Sequence, residues 1–214
     1  MVKRFCGKIL LCLLAVVGLG LGALPAQAQR VSLTDLQNQI AASVTCPAAL
    51  PGQPRFVDKG DGTVCDSATG LMWEKKLACA EPTNPRCVAN RYTWSSYPPE
   101  PNGTLYRDFL QRLNDLVTPN DGTGTPCFAE HCDWRVPTVA ELRSVVLAAF
   151  PNCVARPCVD PALGPTAGQY WSSTATATDP STAWVVDLDD GQVFGPLLAQ
   201  RVYVYFARAV RGGR

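Results

Sequence analysis

The residues with chemistry to offer in this 214-residue chain are ten cysteines, a single histidine, a group of aspartates and a run of C-terminal arginines. The aspartates are Asp58, Asp61 and Asp66, spaced around Gly60 and Gly62. Hard cations want several carboxylate oxygens in a tight turn, so calcium is the ion this group would take. The cluster lacks a full calcium-loop spacing and a bidentate Glu at the twelfth position, and Asp and Gly are equally what a hairpin turn prefers. Turn chemistry is the reading adopted, with calcium as the alternative and no other cofactor implied. Arg201, Arg208, Arg211 and Arg214 could aim guanidinium forks at sulfate or carboxylate. Ordinary solvation of a strand edge and tail competes with that reading. Trp94, Trp134, Trp171 and Trp184 could stack on sugar rings, although Trp on strands more often fills a core. Arg201, Arg208, Arg211 and Trp94 are thus the ligand-binding candidates.

Catalysis finds little support. The only histidine is His131, so any Ser-His-Asp or Cys-His arrangement has to use it. There is no glycine-rich phosphate cradle. No acidic pair stands out for glycoside cleavage, and a hydrolase with an unrecognised carboxylate site is the residual enzymatic reading. Zinc sites favour Cys-x2-Cys pairs or histidine companions. Here the close cysteine pairs are separated by four, four and seven residues.

Composition and the N-terminus set the compartment. With 47% hydrophobic and 17% charged residues the chain can bury a core. Collagen, coiled coil and multi-span membrane protein are excluded by the absence of a Gly period, heptads or repeated long apolar runs. A formal charge of +1 offers nothing to nucleic acid. Lys3, Arg4 and Lys8 precede the apolar run Ile9 to Leu24 and then Pro25-Ala26-Gln27-Ala28, the order of a secretory signal peptide over residues 1–28. The run is interrupted by three glycines and falls short of the ~20 residues needed to cross a bilayer; an uncleaved anchor is the rival reading. With Gln29 as the mature terminus, no transmembrane anchor remains. Removing three cations from 19 leaves 16 Lys+Arg against 18 Asp+Glu, a formal charge of −2.

Eight cysteines then remain: Cys46, Cys65, Cys79, Cys87, Cys127, Cys132, Cys153 and Cys158. In an oxidising compartment they read as up to four disulfides, with 105 possible connectivities. Proximity favours Cys127–Cys132, Cys153–Cys158 and Cys79–Cys87, leaving Cys46–Cys65 by elimination.

The elements that must position these residues follow from periodicity. Residues 29–53 form a linker in which Ser32-x-x-Asp35 with Leu33, Leu36 and Ile40 predicts one short helix. From Arg55 to Glu74, short apolar runs separated by Asp-Gly and Thr-Gly predict a β-meander. A clipped loop over 78–103 leads to two helices. The first spans Leu105 to Val117 with Leu105, Phe109, Leu113 and Leu116 on one face. The second starts at the capping box Thr138-x-x-Glu141, with Val139, Leu142, Val146 and Ala149 as its buried stripe. Then come a strand at Tyr170–Thr174, a hairpin from Ala183 to Phe194 alternating at Trp184, Val186 and Leu188, and a last, central strand from Val202 to Val210. Strands at both ends with helices between them predict an α+β domain on antiparallel sheets, with long disulfide-clipped loops.

Six stretches in order carry a family resemblance: Arg55-Phe-Val-Asp-Lys-Gly-Asp-Gly-Thr-Val with Thr69-Gly-Leu-Met-Trp-Glu; Tyr92-Thr-Trp; Asp133-Trp-Arg-Val-Pro-Thr; Tyr170-Trp-Ser-Ser-Thr; Ala183-Trp-Val-Val-Asp; and Ala209-Val-Arg-Gly-Gly. Over residues 54–213 the chain resembles the Lcl C-terminal domain family, named for a Legionella collagen-like protein. The resemblance implies a C-type lectin-like fold, similar also to the formylglycine-generating enzyme fold, in an exported bacterial protein. The namesake is an adhesin whose domain binds sulfated glycosaminoglycans behind a collagen-like stalk. This chain has no collagen repeat, its mature charge is negative, and no cysteine follows Cys158 where the formylglycine-generating enzymes carry theirs. Glu100-Pro101-Asn102 matches the calcium- and sugar-binding tripeptide of C-type lectins, but it precedes both helices and no Trp-Asn-Asp accompanies it. The expectation is a non-enzymatic, adhesin-like module in the periplasm, at the cell surface or secreted, whose partner is a polysaccharide or an envelope or host protein. A structural protein–protein domain of the envelope is the alternative.

Overall fold

The structure is a computed structural model that describes residues 46–48, 50–96, 100–116, 126–147, 156–166, 168–175, 179, 181–198 and 203–213. The leader, the N-terminal helix, Cys153, Arg201 and Arg214 lie outside the described residues.

The meander forms where the Gly-containing turns place it. Strands β1 (Phe56–Asp58), β2 (Thr63–Asp66) and β3 (Leu71–Glu74) pair antiparallel, Phe56 opposite Asp66 and Thr63 opposite Glu74. Gly60 and Gly62 take φ of 80° and 91°, the left-handed conformation that a side chain would strain. β9 (Val210–Gly212) closes this sheet against β3, giving the order β1-β2-β3-β9. A second sheet has the order β4-β8-β5-β6-β7, built from β4 (Arg91–Tyr92), β5 (Gln169–Ala175), β6 (Thr182–Asp187), β7 (Val193–Leu198) and β8 (Tyr205–Phe206). Its pairings are antiparallel except β5 with β8, which is parallel.

The single central strand expected over 202–210 is therefore two short strands in two sheets. The cause is the crossing at Ala207–Ala209, where Glu74 takes over the hydrogen bonding. Its amide donates to Ala209 O (3.0 Å) and its Oε2 accepts from Ala209 N (3.2 Å). The hairpin alternation also differs from expectation. Val185 and Val186 are both fully buried because β6 is covered on both faces: Val185 lies in a core with Trp94, Phe109 and Trp171, and Val186 in one with Trp73, Leu142 and Tyr170.

Helix α1 is wound as a π-helix over Leu105–Leu110 and continues as α-helix over Gln111–Leu113. Leu105, Phe109 and Leu113 are buried as predicted, but Leu116 is 67% exposed. The helix ends early because Asn114 turns its amide onto the Trp134 backbone, accepting from Trp134 N (2.9 Å) and donating to Trp134 O (2.8 Å). Helix α2 (Val139–Ser144) starts at the predicted capping box: Glu141 N donates to Thr138 Oγ1 (3.2 Å) and Thr138 N donates to Glu141 Oε2 (2.7 Å). Leu142 is buried, and Val139 and Val146 pack beside it. Cys46–Cys65, Cys79–Cys87 and Cys127–Cys132 are disulfides, and Cys158 is also disulfide-bonded. The architecture is α+β, mostly sheet with few helices.

Candidate functional site

Asp58 and Asp61 serve the β1–β2 turn and Asp66 the β2–β3 turn. Asp58 accepts from Gly60 N (3.0 Å) and pairs with Lys75, whose hydrogen bond holds its carboxyl below the usual range. Asp61 Oδ1 accepts from Thr63 N (2.9 Å) and Thr63 Oγ1 (2.6 Å). Asp66 is buried; both its oxygens take the Arg55 fork at 2.7 Å, with further donors at Thr69 and Ala68. Burial pushes its carboxyl up, but the Arg55, Thr69 and Ala68 donors outweigh burial and hold it below the usual value. No group of three or more His, Cys, Asp or Glu side chains placed to hold a metal occurs among the described residues.

Of the four C-terminal arginines, Arg208 and Arg211 lie among the described residues, and each is held by its own partners. Arg208 has no exposed surface. Its Nη1 donates to Leu163 O (2.7 Å) and Glu74 O (3.0 Å), and its Nη2 to Pro165 O (3.3 Å). It lies beside a buried ion pair, Lys76 Nζ to Glu74 Oε1 at 2.9 Å, in which burial pushes the Lys76 ammonium down to about 8 against the pull of Glu74. Arg208 is a tie inside the core, not a ligand contact. Arg211 is nearly buried, and its Nε donates to Asp133 Oδ1 (2.6 Å), pinning the segment before Trp134 to β9.

Trp94 is also a core residue, only 2% exposed. Trp134 donates Nε1 to Phe128 O (2.9 Å) and Trp171 donates Nε1 to Tyr92 O (2.7 Å), so both indoles are buried and satisfied. Trp184 alone of the four is half-buried. The Glu100-Pro101-Asn102 tripeptide closes its own loop: Ser95 Oγ donates to Glu100 O (2.7 Å), and Asn102 Oδ1 accepts from Ser96 N (2.9 Å).

What reaches solvent is the end of an aromatic series that begins in the core. The Tyr106 and Trp94 rings meet edge-on at 5.3 Å, Trp94 and Trp171 at 5.8 Å, and Trp171 and Tyr205 edge-on at 4.8 Å. Tyr205 then faces Tyr203 with rings parallel to within 2° and centroids 6.4 Å apart. Tyr203 is 45% exposed and Tyr205 is half-buried. Opposite Phe206 on the edge strand β4, exposed Arg91 holds its guanidinium 4.7 Å from the Phe206 ring centroid. Burial, and then Tyr203, push the Tyr205 phenol up, so it stays a neutral hydroxyl able to donate and accept. The result is a partly exposed ledge of two parallel tyrosine rings with hydroxyl rims and a neighbouring cation. The i, i+2 spacing of Tyr203 and Tyr205 is the signal that could have found it; their place in an apolar run concealed it.

His131 stands edge-on to Trp134 at 6.5 Å, between the Cys127–Cys132 disulfide and the Arg211–Asp133 pair. Burial, and then the Arg211 charge, push its imidazole down.

Two sheets, buried ion pairs and disulfide-clipped loops define a compact α+β domain of the kind that oxidising compartments allow. The chain belongs to the Lcl C-terminal domain family, whose family model matches residues 62–211. No curated protein and no solved structure matches it. Family membership and the disulfides support a domain of a secreted or surface protein. Among the described residues no helix is long and apolar enough to cross a membrane.

Proposed function

We propose that this chain is an exported, non-enzymatic binding module of C-type lectin-like architecture that holds a polysaccharide at the cell envelope or outside the cell, through the Tyr203–Tyr205 ledge. The observation that carries this reading is the parallel, solvent-facing ring pair backed edge-on by Trp171. Flat rings anchored from behind are rigid and lose little entropy when a sugar ring stacks on them. The signal peptide over 1–28 and mature terminus at Gln29 belong to the same reading. So does the independence from calcium, since each aspartate of the 58–66 turns already has its own donors.

A protein partner is the second reading. It is favoured by a shallow depression of about 250 Å³ beside Cys65, lined by Pro47, Ala48, Leu50, Pro54 and Val57, with Leu50 and Val57 exposed.

The test is retention of the mature, oxidised protein on immobilised glycans with and without EDTA. Binding is expected, resistant to EDTA and changed little by salt, because a chain of mature charge −2 binding by stacking releases few counterions. Retention on no glycan at low salt removes the carbohydrate reading and leaves the protein-partner one.

A further inference from the structure

The depression beside Cys65 exposes apolar side chains that the rest of the domain leaves uncovered. Leu50 is 72% exposed and Val57 42% exposed, and Pro47, Ala48 and Pro54 complete the apolar wall. Strand pairing puts Val57 there. It stands opposite Cys65 in the β1–β2 register, and cross-strand partners share a face, so it lies beside the Cys46–Cys65 bridge. Phe56 points to the other face of β1 and is buried.

The same disulfide fixes what can reach this hollow. Cys46 is its N-terminal anchor, and only Ala41-Ala42-Ser43-Val44-Thr45 separate that anchor from Ile40. Five residues span at most about 17 Å. The segment before them, outside the described residues, carries Leu33, Leu36 and Ile40 at helical spacing. Ser32-x-x-Asp35 supplies its cap, and Val31 is placed to staple onto Leu36. A helix over residues 32–40 is about 13 Å long. Helices this short are marginal in water and hold only where a surface buries their apolar stripe. Gln37 and Gln39 flank the stripe without charge, which suits the polar rim of the hollow at Gln53 and Lys59.

The tether decides among occupants. A short linker holds the helix beside the hollow at an effective concentration on the order of millimolar, above what a second copy or a separate protein reaches. We propose that residues 32–40 of this chain dock as a helix in the hollow between Leu50 and Val57, with Leu33, Leu36 and Ile40 against the Cys46–Cys65 bridge. A protein partner then reaches this surface only by displacing the helix. The hollow shares no residue with the Tyr203–Tyr205 ledge, so either can fail without the other.

The experiment is amide hydrogen exchange of the mature, oxidised protein, read by mass spectrometry over residues 36–40. Exchange there is expected to be roughly tenfold or more slower than in a free peptide of residues 29–45, and independent of protein concentration. Val57→Asp puts a charge into the hollow and should return exchange to within about twofold of the peptide, with β5 and β6 unchanged. Leu50→Asp, outside any strand or helix, is the second variant and serves if Val57→Asp does not fold. The proposal is overturned if residues 36–40 exchange as the peptide does, or if a folded hollow variant keeps their protection. Protection that grows with concentration as a dimer forms also overturns it, because the occupant is then a second copy.

Discussion

Arg208 makes three hydrogen bonds to backbone carbonyls of Glu74, Leu163 and Pro165 and has no contact with water. Burying a guanidinium is costly unless it is hydrogen-bonded and counter-charge is near; Nη1 and Nη2 are bonded, buried Nε has no partner, and Glu74 provides the charge. Replacing it with Met removes these donors and a cation from beside the Glu74–Lys76 pair, leaving Leu163 O only its bond from Lys76 N (3.3 Å). Arg208→Met is expected to cost about 3–5 kcal/mol in urea unfolding, the scale for breaking a buried ionic network. A loss below about 1 kcal/mol would mean that the arginine is dispensable to the core. Charge type alone marked Arg208 as a surface candidate, because a linear sequence does not show which carbonyls will converge on it. Asp66 and Glu141 were legible as turn and cap residues, but their ion pairs with Arg55 and Arg135 were not. Both carboxyls lie below their usual values: burial raises them, and hydrogen bonds from Arg55 and Arg135 respectively outweigh it. A carboxylate depressed in the folded state stabilises above its unfolded pKa of about 4 and loses that contribution as pH falls through the folded value. Stability should therefore hold from pH 7 to about 5 and fall steeply below about 4. Asp66→Asn should lower the urea midpoint at pH 7 and flatten the acid limb. An acid limb as steep as the parent's would place the titrating group elsewhere.

At the level of elements, the local signals were legible and the non-local ones were not. Thr138-x-x-Glu141 announces α2 by itself, since both reciprocal bonds form within one turn. Thr138→Ala should cost about 1 kcal/mol in the same urea assay. A neutral outcome would show that packing of Leu142 alone holds the helix. The β1–β3 meander and the β6–β7 hairpin were readable because their turns carry their own glycine and aspartate chemistry. The early end of α1 was not, because Asn114 stops it by reaching Trp134, twenty residues away. Nor was the division of 202–210 between two sheets, which depends on Glu74 more than 130 residues upstream. The Tyr203–Tyr205 ledge was missed for the same reason. An aromatic residue in an apolar run reads as core until the neighbouring strand is known to end, and β4 ends after two residues.

Across the whole molecule, disulfides and charge pairs hold loops onto a two-sheet frame, and the aromatic series runs through that frame to its surface. Trp94 and Trp171, weighed as sugar-stacking candidates against core packing, form the interior of that series, and two tyrosines form its exposed end. An aromatic ledge anchored on the core, with Arg91 beside it, suits retention of a ligand, and the proposed module uses it so. The most direct measurement is equilibrium binding of the mature, oxidised protein to purified envelope polysaccharide, compared with the folded Tyr203→Ala/Tyr205→Ala variant. The account predicts saturable binding that salt barely changes and that the variant weakens at least tenfold. Equal binding by the variant, or none by the parent, would contradict it.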